Sequence, residues 1–203
     1  MKDFGLVVIG AHFGVWLEDE ISKYNNHNIL LVEPVPYNIK ILEQKYSSNQ
    51  NIHICKNAIY SKKELKKFYY VDEKSIPKLG KHWASGIGSF DKNHILNHKS
   101  KRFKIEDNDI IQIEINFITF KDMIKDYSIK SIEKLQIDVE GAEYEILKSI
   151  NFEDIKIDSI HFESKHFDGT FKEGDKLEEI KKKLSDKGYH LTQIDKENIV
   201  AKK

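Results

Sequence analysis

Apolar residues recur along the chain in two patterns that alternate. Short apolar runs predict buried strands at residues 6–9, 29–32, 52–55, 134–139 and 159–162. Apolar residues at helical spacing predict helices over about 17–24, 36–46, 142–150 and 172–187. Two last runs, 189–194 and 198–201, are close enough to predict a hairpin. Strands that alternate with helices indicate an α/β fold, with a mainly parallel sheet covered by helices on both faces.

Some segments lie outside this regular series. Residues 68–71 and 111–115 predict strands that do not belong to the main sheet. The stretch of about 72–109 is too long for an ordinary connection, and such loops are usually functional or disordered. It carries Trp83, Phe90 and several histidines, a poor composition for disorder. We therefore expect a single domain over 1–203 with an inserted active-site loop that is ordered over the site.

Charge and composition exclude several classes of protein. The chain has 33 basic and 33 acidic residues, so no bulk electric field favours nucleic acid or an anionic membrane. Cys55 is its single cysteine, which fits a reducing compartment. The sequence shows no signal peptide and no run of the roughly 20 apolar residues that a membrane span needs. We expect a cytoplasmic protein, and the sequence does not predict an oligomeric state.

Acidic residues crowd the end of one predicted strand. Leu135, Ile137 and Val139 alternate as in a strand, and the glycine at position 141 breaks it. Asp138, Glu140 and Glu143 then gather at the carboxyl end of that strand, where open α/β sheets bind ligands. Neighbouring carboxylates repel one another unless a cation is close, so we interpret the cluster as a binding site. The alternative is an acidic but merely solvated turn.

A second ligand signal follows the first predicted strand. Gly10-Ala-His-Phe-Gly14 is a glycine turn leading into a helix, which lets backbone amides approach a ligand. Glu33 closes the second strand, 23 positions after Gly10, where an acid can accept hydrogen bonds from a ribose diol. The dinucleotide fingerprint needs glycine where the chain has His12 and Val15. A nucleoside without phosphates, such as S-adenosylmethionine, fits better than NAD.

Five segments in order resemble the FkbM-type methyltransferases, S-adenosylmethionine-dependent enzymes of class I. These segments lie at 32–38, 57–58, 83–90, 135–147 and 160–163, and the resemblance covers about 5–195. It implies a Rossmann-like class I fold with a mainly parallel seven-stranded sheet and a C-terminal antiparallel hairpin. The family usually has an acid two residues before the first glycine and an asparagine in the turn, whereas this chain has Val8 and His12.

The resemblance also implies roles for individual residues. Glu33 would bind the ribose hydroxyls, Asp138 would face the sulfonium, and Glu140 and Glu163 would lie near the acceptor. The other residues implied to bind the cofactor are Gly10, His12 and Gly14 around the methionine portion, and Asn57 and Ala58 beside the adenine. Ser89, which follows a glycine in the long loop, is a further candidate for the border of the cofactor.

Transfer of a methyl group to an alcohol needs alignment and a base for the hydroxyl proton. The catalytic candidates are Asp138, Glu140, Glu163 and His166. The same four could bind Mg²⁺ or Mn²⁺, but we identify no zinc-type ligand spacing and expect no metal. His161 is more consistent with a structural role, while His82, His94 and His98 remain ambiguous.

The leading hypothesis is therefore an O-methyltransferase that acts on a hydroxyl of a sugar or another small polar metabolite, in surface polysaccharide or secondary metabolism. One alternative is a nucleoside-binding module without catalysis, which the departures at Val8 and His12 motivate. Another is a methyltransferase with a different acceptor class. The expected partner is a small molecule, without nucleic acid or membrane.

Overall fold

Buried apolar runs build the strands of this fold, as the sequence pattern requires. The computed structural model describes residues 1–14, 16–80, 82–100, 103–165, 167 and 174–203. The strands are β1 Lys2–Ile9, β2 Asn28–Val32, β3 Ile52–Cys55, β4 Ala58–Ile59, β5 Glu64–Val71, β6 Gly88–Ser89, β7 Lys99–Ser100, β8 Phe103–Lys104, β9 Ile110–Ile118, β10 Ile129–Ile137, β11 Lys156–Glu163, β12 His190–Gln193 and β13 Asn198–Lys202. The helices are α1 Glu18–Lys23, α2 Pro36–Lys45, α3 Ile76–Leu79, α4 Lys92–Asn97, α5 Phe120–Asp126, α6 Glu143–Ser149 and α7 Asp175–Asp186. Short 3₁₀ helices occupy Glu73–Ser75, His82–Gly86 and Asp107–Asp109.

Seven strands form the main sheet, in the order β3-β2-β1-β10-β11-β13-β12. Strands β3 to β11 in this order are parallel, and β13 is antiparallel to both of its neighbours. Along β1, alternate residues enter two apolar clusters on opposite faces of the sheet, Val7 and Ile9 on one and Leu6 and Val8 on the other. The predicted α/β fold class, including the C-terminal hairpin, is confirmed.

The register of the central strands places three chain turns at one edge. Ile9 at the end of β1 pairs with Val32 at the end of β2 and with Ile137 at the end of β10. Strand order reverses at β1, because the chain passes to β2 on one side and only later returns to β10 on the other. Such a switch point opens a crevice at the carboxyl ends of the strands.

A second sheet of four strands, in the order β4-β9-β5-β6, is formed by the segments outside the main series. The predicted extra strands at 68–71 and 111–115 fall within β5 and β9, which pair antiparallel. The prediction that 72–109 forms a long loop without regular elements was wrong, because α3, α4 and several short strands form there. Leu79, Ile95 and Ile105 from this insertion pack with Val71 in a cluster of their own, which explains its order.

The sequence pattern missed α5 and misplaced some boundaries. The Thr119 hydroxyl accepts from the Asp122 amide at 3.0 Å, and the Asp122 carboxylate accepts from the Thr119 amide at 3.0 Å. This capping box supplies the start signal that apolar spacing did not. The β10 strand begins five residues before its predicted start and ends two before its predicted end. In the described part of the chain, no helix has the length and apolarity to cross a bilayer.

Thr119→Ala should lower the free energy of unfolding by about 1 kcal/mol, because the amide of residue 122 loses its capping acceptor. Urea denaturation followed by circular dichroism measures this change. Thr192→Ala, at an exposed position of β12, is the matched control and should change stability by less than about 0.5 kcal/mol. Equal losses in the two variants would contradict a capping role for Thr119.

Candidate active site

The carboxyl ends of β1 and β10 are in direct backbone contact. The Asp138 amide donates to the Ile9 carbonyl at 2.9 Å, and Gly10 has φ +90°. A Cβ atom on residue 10 would lie 1.6 Å from the Asp138 carbonyl oxygen, so no side chain is tolerated there. Glycine is required at this position by its left-handed backbone and by the neighbouring strand end. This junction brings two of the predicted site residues to one point.

A cavity that is partly open to solvent lies at this junction. Six of the residues implied to bind a cofactor line it, namely Gly10, Glu33, Asn57, Ala58, Ser89 and Asp138. The side chains of Phe68, Phe90 and Phe117 form an aromatic part of its wall. A few polar groups therefore converge within a lining that is otherwise largely apolar. This combination is typical of small-molecule sites.

A second cleft adjoins this cavity and shares Gly10, Gly86 and Asp138 with it. His12 and Glu140 line the second cleft and not the first. Asp138 therefore lies where the two spaces meet. An elongated ligand could occupy both, with Asp138 beside its middle.

Glu33 is buried at the end of β2. It holds the turn between β1 and α1, which begins the first crossover connection of the sheet and is called the crossover turn below. Its carboxylate accepts from the His12 amide at 2.8 Å, the Val35 amide at 2.9 Å and the Asn38 side chain at 3.4 Å. Burial nevertheless raises the pKa of Glu33 to about 7, because desolvation outweighs these three donors. The charged form is thus costly until further donors reach it, and a ribose diol would supply two.

The inserted segment covers the first crossover. The Ser85 carbonyl accepts from Asn38 at 2.9 Å and from the Tyr37 hydroxyl at 3.2 Å. The His12 ring, carried by a left-handed residue with φ +52°, bonds the Ser85 hydroxyl, and Gly86 packs against the same ring. These contacts fix residues 82–86 beside the crossover turn, so the insertion forms one wall of the site.

Three carboxyl groups meet at the end of β10. One oxygen each of Asp138, Glu143 and Glu163 lies within 4.8 Å of the others. Glu143 is fully buried and accepts from the Val139 amide at 2.6 Å and the Gly141 amide at 2.9 Å. Its role is to hold the turn in which Glu140 is left-handed, with φ +57°. A non-glycine residue in that conformation is uncommon and typical of functional sites.

Crowding of these acids changes their protonation. Burial, followed by the charges of Glu140, Asp138 and Glu143, raises the pKa of Glu163 to about 9. Desolvation, then Glu140 and Glu197, raises the pKa of Asp138 to about 7. The Asp138 side chain is enclosed by protein atoms yet reached by solvent through the cavity, so water screens part of this effect. The crowding therefore favours protonated forms within the cluster.

Two histidines of the insertion lie against Glu140. His94 and His98, four residues apart at α4, have their Nε2 atoms 3.1 Å from each other. The Glu140 Oε2 atom is 3.8 Å from His94 Nε2 and 3.7 Å from His98 Nε2. The sequence left both histidines ambiguous, and only the fold of the insertion brings them to the acidic turn.

Other candidates lie elsewhere. His161 lines a separate cleft with Lys134 and Ser159, and burial lowers its pKa, in keeping with the structural role expected for it. Gly14 faces Leu42 and Tyr46 of the α2 region and lines neither space of the site. His166 and Val15 lie outside the described residues, as do the side chains of His82 and Trp83.

The sequence analysis overlooked two signals. Asn38 is fully buried and joins Glu33 to Ser85, and a polar residue four positions before Leu42 on the apolar face of α2 indicates such a role. The spacing His94-x-x-x-His98 places two imidazoles on one side of a helical turn and is a metal-ligand spacing.

Comparison with known proteins identifies a family. The family model described as "Methyltransferase FkbM domain" matches residues 9–191. No curated protein sequence matches the chain. Solved structures to which the chain is similar include a precorrin-6y C5,15-methyltransferase from Geobacter metallireducens, 12% identical, with a TM-score of 0.47 over 100% of this chain and 82% of that one.

Two further structures are similar to the chain. One is a Streptococcus mutans protein assigned as a methyltransferase, in complex with S-adenosylhomocysteine (9% identical, TM-score 0.49, covering 99% of this chain and 90% of that one). The other is Aeropyrum pernix fibrillarin with bound S-adenosylmethionine (13% identical, TM-score 0.46, covering 98% and 66%). The family assignment rests on the sequence match and not on these fold similarities.

Gly10→Ala should destabilise the protein by about 3 kcal/mol or more, because a left-handed strain of about 1–2 kcal/mol adds to overpacking of about 1–3 kcal/mol. Gly188→Ala is the matched control, with φ +83° and nothing within 4 Å of the added Cβ. This substitution should lower the free energy of unfolding only by the left-handed backbone strain. Chemical denaturation of both variants measures the difference, and equal losses would show that the β1–β10 contact does not constrain residue 10.

Proposed function

The chain belongs to the FkbM methyltransferase family and is an S-adenosylmethionine-dependent methyltransferase, and we propose that it methylates a hydroxyl group of a sugar or another small polar metabolite. The observation that supports this acceptor is the convergence of Asp138, Glu140 and Glu163 beside the cofactor cavity. Carboxylates hydrogen-bond hydroxyl groups and can also accept their protons. The neutral net charge of the chain fits a small-molecule acceptor better than nucleic acid.

The residues of the cavity fit the cofactor. Glu33 is a buried acid whose charged form further hydrogen-bond donors would stabilise, and the ribose hydroxyls would be such donors. Asn57 and Ala58 would border the adenine, with Phe90 in the same wall and Ser89 beside it. Each of these groups lines a single cavity, so one bound nucleoside can contact them all.

The methionine portion would extend into the second cleft. Gly10 and His12 line that cleft and would contact this portion through the crossover turn. We assign Gly14 to shaping the turn, since its amide donates to the Ala11 carbonyl at 3.0 Å. Asp138, shared by both spaces, would face the sulfonium, where an anion stabilises a cation.

The cofactor supplies an activated methyl group, so the chain has to align the acceptor, exclude water and remove one proton. Glu140 and Glu163 would orient the acceptor through hydrogen bonds. Asp138 has a pKa near 7 and is the described acid best matched to accept the hydroxyl proton at neutral pH. His166, in the segment after β11, is a second candidate for this proton.

Binding of S-adenosylhomocysteine should depend on Glu33 and on pH. Donors from the ribose favour the ionised carboxylate, so affinity should rise as the pH passes upward through about 7. Glu33→Gln should weaken binding about tenfold at pH 8 and less at pH 6. Asp138 also titrates near pH 7, so the ratio of wild-type to variant dissociation constants is the quantity to compare. Calorimetry measures it.

Glu43→Gln, on the exposed side of α2 and paired with Lys56, is the matched control for this experiment. It should bind like the wild type at both pH values. A ratio for Glu33→Gln that does not change with pH would show that ionised Glu33 does not hold the ribose.

Methyl transfer should be detected as release of S-adenosylhomocysteine with a panel of sugars and polyols. Asp138→Asn should lower kcat by about 100-fold or more, because the proton acceptor is lost. Binding of S-adenosylhomocysteine, which lacks the sulfonium charge, should change little in this variant. Asp154→Asn, at an exposed turn, is the control and should retain full activity.

Transfer to no hydroxyl acceptor, with cofactor binding intact, would exclude the proposed acceptor. Transfer to an amine or a thiol in the same panel would instead identify another acceptor class. Binding without transfer to any acceptor would favour the nucleoside-binding module.

A further inference from the structure

We propose that His94, His98 and Glu140 bind a divalent transition-metal ion at the second cleft. The three candidate ligand atoms are His94 Nε2, His98 Nε2 and Glu140 Oε2. They are separated by 3.1, 3.7 and 3.8 Å, which defines a triangle with a circumscribed radius of about 2.1 Å. The centre of this triangle lies at the usual metal–nitrogen and metal–oxygen bond lengths from all three atoms.

The backbone fixes each ligand before any ion binds. His94 and His98 are one helical turn apart, the Asp91 side chain caps α4 by accepting from the Asn93 amide at 2.9 Å, and Ile95 is fully buried. Glu140 is held in its left-handed conformation by the two hydrogen bonds that the buried carboxylate three residues along makes around it. Preorganised ligands of this kind are typical of functional sites.

Burial shows how an ion would reach the site. The side chains of His94 and His98 are 3% and 11% exposed, whereas that of Glu140 is 26% exposed and lines the second cleft. The imidazoles thus form the closed side of the site, and the carboxylate faces the space from which an ion or an acceptor would enter.

The donor set indicates the class of ion. Mg²⁺ and Ca²⁺ prefer oxygen ligands, whereas two imidazoles and one carboxylate suit Zn²⁺, Fe²⁺, Co²⁺ or Ni²⁺. Three protein ligands leave at least one open coordination position, as in catalytic rather than structural sites. The role of this open position rests on the function proposed above. If the acceptor is a hydroxyl, its oxygen would bind there, and the ion would favour loss of the hydroxyl proton.

The competing explanation is a proton in place of the ion. A hydrogen bond between the two imidazoles also gives an Nε2–Nε2 distance of 3.1 Å, and a protonated imidazole would attract Glu140. The metal site predicts that the chelator-treated protein binds an ion, whereas the hydrogen bond alone does not, so a metal titration separates the two explanations.

The test titrates the chelator-treated full chain with Zn²⁺ by calorimetry and with Co²⁺ by visible absorption. We expect one equivalent to bind with a dissociation constant of micromolar or below, and His98→Ala to weaken it at least about 100-fold. Glu140→Gln is a second ligand variant and should also weaken binding. His27→Ala, which removes a surface histidine beside Glu133, is the matched control and should bind like the wild type.

Circular dichroism and binding of S-adenosylhomocysteine are measured on every variant. They separate loss of the metal from loss of the fold, and they do not depend on methyl transfer. If the wild type binds no ion, or if His98→Ala and Glu140→Gln both bind as the control does, the metal site is excluded while the proposed cofactor site stands. If S-adenosylhomocysteine fails to bind but the ion binds, only the proposed function falls.

Discussion

The contact between the ends of β1 and β10 is the constraint on which the site depends. The two strands pair as far as Ile9 and Ile137, and the crevice of the switch point lies just beyond these residues. Here the Asp138 amide bonds the Ile9 carbonyl, and Gly10 leaves room for the Asp138 carbonyl. The same contact directs the Asp138 side chain to the point where the two spaces of the site meet.

Gathering acids at this point has an energetic cost, which the surrounding fold has to offset. Burial raises the pKa values of Glu33, Glu143 and Glu163, and repulsion from neighbouring acids adds to this effect at Glu143 and Glu163, so ionising these groups is costly in the unliganded protein. A raised pKa means that folding stability falls as the pH rises from the ordinary carboxyl value toward the folded-state value. Ribose hydroxyls, a sulfonium or a metal cation would each supply further interactions that favour the charged forms.

The inserted segment links the two halves of the site. Through Ser85 it bonds the first crossover at His12 and the α2 residues Tyr37 and Asn38, and through α4 it brings two imidazoles to Glu140. The proposed nucleoside side and the proposed acceptor side of the site therefore share one wall. A change in the position of this wall would affect both, which connects cofactor binding to the environment of the acceptor.

The sequence by itself determined the strands of the main sheet, the hairpin at the C-terminus and the acids at strand ends, because apolar alternation and glycine turns are local features. It also placed Gly10, Glu33 and Asp138 in one region, since parallel strands end at one edge. Only the tertiary structure decided the helices and strands within 72–109, the contact of His94 and His98 with Glu140, and the role of Glu143 in holding a turn. These depend on packing between segments distant in the chain, and on the desolvation that packing imposes, neither of which leaves a periodic signal in the sequence.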